Sequence, residues 1–96
     1  MSTQNQPQPQ EIKIADNIPG AEYANAAQIS HNKDEFQLFF FNIVGQSGRV
    51  VSKVITNPGH YKRMIAAMAD NLKKYEEKFG EVKEAAELDK EIGFKA

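Results

Sequence analysis

The sequence predicts an α+β domain of β-β-β-α order, a small antiparallel sheet of three to four strands backed by one long amphipathic helix. Three observations predict it. Residues 35–44, EFQLFFFNIV, are crowded with aromatic and branched side chains. Residues 49–56, RVVSKVIT, are rich in β-branched residues and follow the glycine-flanked GQSG; both runs favour a pleated, partly buried strand. From Pro58 onward, apolar residues recur at helical spacing. The chain has 96 residues and no cysteine, so it makes one small domain that no disulfide can staple.

The first ten residues, MSTQNQPQPQ, hold no apolar side chain after Met1 and cannot offset the entropy of ordering, so 1–10 reads as a disordered Gln/Pro-rich tail. The domain proper spans 11–80. It starts with EIKIA (11–15), a short edge strand with Ile12 and Ile14 on one side, and then a turn at Asn17, Pro19 and Gly20. EYANAAQIS (22–30) reads as the first main strand, with Asn25 bridging a turn or sitting in an interface. HNKDE follows as a loop. In the next strand Phe36, Leu38 and Phe40 fall on one face and Phe39, Phe41 and Ile43 on the other, so both faces are dry. GQSG (45–48) reads as a hairpin loop. The strand after it places Val50 and Val54 on one face, Val51 and Ile55 on the other.

Asn57 suits the cap of the helix and Pro58 its first turn, where a missing amide proton costs nothing. Tyr61, Met64, Ile65, Met68, Leu72, Tyr75 and Phe79 fall within an arc of about 100°, the width of a stripe laid on one core. Gly80 either ends the helix or is passed through, since Val82 and Ala86 prolong the stripe. Residues 81–96 form an acidic tail, helical or flexible. From Pro58 to Phe79 the helix is about 33 Å long, close to a nine-residue strand, and is expected to cover one face of the sheet.

One helix cannot cover two faces. Antiparallel strands with a wet face alternate cleanly, and these do not. The second face is therefore expected to meet another copy of the chain, through an interface drawn from Phe36, Leu38, Phe39, Phe40, Phe41 and Ile43. The other covers are an unidentified protein partner, a binding surface held open, or the carboxy-terminal segment folded back.

The chemistry-bearing residues are few. No serine sits in a glycine-flanked elbow and no cysteine exists to act as a nucleophile, so a non-catalytic module without cofactor is expected. The amino terminus has no secretory pattern and no apolar run approaches the roughly twenty residues of a membrane span, which points to the cytoplasm and away from membranes. A formal net charge of −1 argues against wholesale phosphate binding. Locally, 49–63 carries four basic residues and no acidic one. In an antiparallel meander the end of the first strand and the start of the helix share one end of the sheet. That end would gather His31, Asn57, Gly59, His60, Lys62 and Arg63 as an anion site at the positive end of the helix dipole. A metal site with Asp34 as third ligand is a weaker variant, because two histidines lack a well-spaced partner. Two other function classes stay open. One is nucleic-acid binding through sheet aromatics beside the basic stretch, though the expected Gly-Phe-Gly-Phe type signature is absent. The other is a chaperone-like grip on unfolded segments.

From Glu22 to Glu81, the order EYANAAQISHNKDEF, two strands, TNPGHYKRM and NLKKYEEKFGE resembles the small bacterial and archaeal proteins grouped as domain of unknown function 3467. The matching positions are Tyr23, Asn25, His31, Phe36, Pro58, His60, Lys62, Arg63, Asn71, Tyr75, Glu76, Phe79 and Gly80. The loop 45–48 is shorter than the family pattern. The resemblance implies the limits of the domain and adds no mechanism.

Overall fold

The structure, a computed structural model, describes residues 10–87. Nearly all of the 1–10 tail, and 88–96 of the acidic tail, therefore lie outside the described residues. Three strands follow one another as β1 (Ala26–His31), β2 (Phe36–Val44) and β3 (Ser47–Thr56), and α1 (Pro58–Phe79) comes last. Both strand pairs are antiparallel and β2 is central.

Local chemistry closes both hairpins. Between β1 and β2, Asn32 Oδ1 accepts from the amides of Asp34 and Glu35, at 2.8 and 2.9 Å, a side chain standing in for a backbone turn. GQSG is shorter as a loop than its four letters: Ser47 and Gly48 already belong to β3, and only Gly45 and Gln46 turn. Gly45 has φ +63° and Gln46 is not left-handed, the type II′ arrangement whose twist matches the flanking strands.

The expected faces hold on β2 and shift on β3. Phe40 pairs with Ser52 but Phe41 with Val50, leaving Val51 as the extra residue of a β-bulge. The bulge breaks the alternation, so Val54 lies beside Leu38 on the first face while Val50 lies beside Phe41 on the second. Among the described residues Leu38 and Phe41, at 3% and 4% exposure, are the buried core. There is one on each face, and each is flanked by a partner from β1 and β3.

Two expectations about the amino-terminal half are corrected. EIKIA forms no strand, and Ile12 and Ile14 are more than four-fifths exposed; no free sheet edge pairs with it, and a short segment without ladder bonds gains nothing from extension. The first strand begins at Ala26 rather than Glu22 and runs through His31. Asn25, just before it, continues the ladder with its side chain: its amide donates to the Ile43 carbonyl at 2.8 Å, its Oδ1 accepts from the Ile43 amide at 2.9 Å, and its own N–H donates to Phe41. A side-chain amide here copies a peptide group, which frees the chain to leave the sheet.

The larger correction concerns the helix. α1 spans Pro58–Phe79 as expected, and Gly80 ends it at φ +100°, donating to the Glu76 carbonyl. It does not back the sheet. No residue of α1 is buried, and Ile65, Met68, Leu72, Tyr75 and Phe79 are each 50–65% exposed. The cause lies in the connection. Asn57 alone separates β3 from α1, and its backbone is extended, with φ −82° and ψ 160°. One extended residue followed by Pro58 leaves no length in which to reverse direction, where connections of two to six residues are usual. The radius of gyration is 18.9 Å, against about 12 Å for a compact chain of this size.

Candidate functional site

Two places on the molecule hold residues singled out by sequence: the junction of sheet and helix, and the apolar surface that runs from the sheet onto α1.

At the junction, Phe36 occupies the middle. Its ring stacks on Tyr61 of α1 at 4.0 Å between centroids and 5° between planes, and meets the ring of His31, its pairing partner on β1, at 5.3 Å. This contact fastens the first turn of α1 to the sheet. Asn57 caps the helix: its Oδ1 accepts from the His60 amide at 2.7 Å and its carbonyl from Tyr61. The Arg63 guanidinium donates to His60 Nδ1 at 2.7 Å. Arginine has no acceptor, so Nδ1 is the accepting atom of this hydrogen bond.

The expected anion site is therefore gathered in part. His31 and His60 share one end of the sheet, as the meander requires, but each has its own partner, Phe36 for one and Arg63 for the other. The Asn57 carboxamide takes up a helix N-terminal amide that an anion would need. Gly59 sits open beside it, and Lys62 and Arg63 are exposed. For the metal variant with Asp34, the described residues contain no group of three or more His, Cys, Asp or Glu side chains able to hold an ion.

The expected interface residues divide. Leu38 and Phe41 are already buried within one chain. Phe36, Phe39, Phe40 and Ile43 are half-buried. Lys53 lies 5.2 Å over the Phe39 ring on the second face, a cation–π contact that strand pairing, but not sequence spacing, brings together. On the first face the segment before β1 lays Ile18, Gly20 and Ala24 along a shallow groove against Phe40, Val51 and Ser52, tied down by the ion pair of Glu22 with Arg49 at 2.9 Å. The longest run of exposed apolar side chains is on α1, along the stripe from Ile65 to Phe79, while Ile29, Val44, Val54 and Ile55 of the sheet are exposed singly. Sequence periodicity marked that stripe correctly and assigned it to the wrong partner. The one-residue hinge was the available signal.

A family model described as protein of unknown function, DUF3467, matches residues 1–84. The chain belongs to the DUF3467 family. No curated protein and no solved structure matches it. The positions that carry the DUF3467 resemblance hold the ends of elements together here. Asn25 extends the ladder; Phe36 joins sheet to helix; Pro58 and His60 lie in the first turn of α1. At the other end Tyr75 meets Phe79 at 4.9 Å, and Glu76 accepts from the Gly80 amide with its carbonyl and from the Val82 amide with its Oε2. Gly80 turns the chain after them, so Val82 and Ala86 do not prolong the helix. Among the described residues no helix of this DUF3467 chain is long and apolar enough to cross a membrane.

Proposed function

We propose that the protein is a small non-catalytic interaction module that self-associates through its apolar surface. One observation carries this reading: Ile65, Met68, Leu72, Tyr75 and Phe79 form a continuous stripe on α1, each at least half exposed. Leaving such side chains in water forgoes roughly 1.5–3 kcal/mol for each one that full burial would cover, and among the described residues the buried side chains, Leu38 and Phe41, belong to the sheet and not to the helix. The opposite face of α1 is charged, with Lys74 and Asp70 paired at 3.1 Å and mostly exposed, so the helix presents one side to a partner and the other to water.

The nucleic-acid reading draws on the basic stretch, and two of its four basic side chains are engaged: Arg49 with Glu22 and Arg63 with His60. Self-association is the stronger reading. Its test is the solution mass by light scattering on a sizing column at two protein concentrations and two salt levels. A multiple of 10.8 kDa is expected, insensitive to salt because the contact is apolar. A monomer under all four conditions overturns it.

A further inference from the structure

We infer that the partner of the α1 stripe is a second copy of this chain, and that the two copies exchange helices, each α1 lying across the first face of the other's sheet. The inference rests on the self-association reading and adds its geometry. Four observations carry it.

The hinge is the first. A helix joined to its strand by Asn57 alone is directed off the end of its own sheet, and a connection too short to fold back is the usual origin of an exchanged element. Fit is the second. The helix and β2 are comparable in length, about 33 Å for 22 residues and about 30 Å for nine, and with Ile18, Gly20 and Ala24 lying against Phe40 the part of the first face left for a helix is the one around Leu38. Each chain therefore holds one donor and one acceptor that it cannot bring together itself.

The third is continuity. Tyr61 belongs to the same stripe and already rests on Phe36 of the first face at 4.0 Å. The stripe beyond it consequently faces the side of the helix on which a sheet lies. Past the end of its own sheet, that space fits a partner's. Around Leu38 on the first face, Ile29 and Val54 remain 50% and 41% exposed. They give an incoming helix something to cover. Pairing of helix with helix would leave them bare.

Area is the fourth. The five exposed stripe residues offer on the order of 600 Å² of side chain. A two-fold exchange uses that donor surface twice, about 1,200 Å² before any acceptor surface is added, which already reaches the lower end of the 1,200–2,000 Å² of a standard stable interface.

A flexible insertion tests the geometry. Six glycine and serine residues placed between Thr56 and Asn57 keep the Asn57 cap and give α1 the length to fold onto its own sheet. The exchange predicts that wild type is a dimer and the insertion variant a monomer with unchanged helix content by circular dichroism. An insertion variant that remains dimeric overturns the exchange while leaving self-association standing; a monomeric wild type overturns the underlying reading. A second measurement holds even where the insertion variant fails to fold. The chain has no cysteine, so Val54→Cys and Leu72→Cys proteins can be mixed, refolded together and oxidised. Exchange predicts a mixed disulfide between the two variants. Disulfides confined to pairs of Leu72→Cys chains indicate helix pairing and overturn it.

Discussion

β2 and α1 carry more large apolar side chains than any other element of the chain, and they end in opposite states. β2 lies between two strands, reached through turns of four and two residues, so its neighbours arrive by local connection. Leu38 and Phe41, one on each face of it, are the buried side chains among the described residues. α1 needs a surface that is remote in sequence, and the single residue before it prevents the chain from supplying one. Apolar side chains are thus covered or left exposed according to the length of a connection. Burial follows what a hinge can reach as well as what a pattern demands.

Truncating the core of β2 should have the largest effect. Phe41→Ala removes a side chain that is 4% exposed and should cost about 3–5 kcal/mol, enough to abolish cooperative unfolding in so small a domain. Denaturant titration at fixed protein concentration reads it. A loss below about 1 kcal/mol would mean that the sheet does not carry the fold. Leu72→Lys on the stripe comes next. It should weaken self-association at least tenfold, about 1.4 kcal/mol, read from the concentration dependence of the light-scattering mass. If Leu72→Lys leaves that dependence unchanged, the contrast between satisfied sheet and unsatisfied helix fails at the helix.

Asn25 sharpens the sheet side of the comparison. Its carboxamide makes two hydrogen bonds to the backbone of Ile43, one as donor and one as acceptor. Asn25→Ala should cost about 1–2 kcal/mol. Asn25→Asp should cost at least as much, because a carboxylate cannot donate to the Ile43 carbonyl. Equal stability of Asn25→Asp and wild type would show that the ladder ends at Ala26 without side-chain help. Amide exchange at Ile43 reports the same bond directly.

How far these features were legible in sequence depends on whether their cause is local. The helix limits were legible because Asn57, Pro58 and Gly80 act on their own neighbours, and the faces of β2 were legible because alternation is a property of one strand. The faces of β3 were not, since the bulge at Val51 arises from pairing with Phe40 and Phe41. Asn25 stood out as a polar residue among inward candidates, yet its partner Ile43 lies eighteen residues away. The expectation that His31 and His60 share one end of the sheet follows from element order alone, since His31 pairs with Phe36, Phe36 with Thr56, and α1 starts at Pro58. Periodicity identified neither Phe36 between His31 and Tyr61 nor Arg63 on the His60 ring, because side-chain partners at a junction are set by tertiary packing.

The smallest expected effect concerns the hinge itself. Asn57 is both the whole connection between the two regions and the cap of the second. Its Oδ1 accepts from the His60 amide at 2.7 Å, one of the four helix amides that no backbone carbonyl can reach. Asn57→Ala should cost about 1 kcal/mol, and the loss should appear unevenly. Amide exchange should quicken at His60 and through the first turn of α1, while the protection of β2 changes little, because no sheet hydrogen bond passes through the Asn57 side chain. Asn57→Asp keeps the acceptor and adds a charge suited to the positive end of the helix dipole, so it should restore protection in the first turn. Uniform loss of protection across β2 and α1 in Asn57→Ala would mean that the two regions open as one cooperative unit, with the stacking of Tyr61 on Phe36 coupling them more strongly than the one-residue hinge separates them.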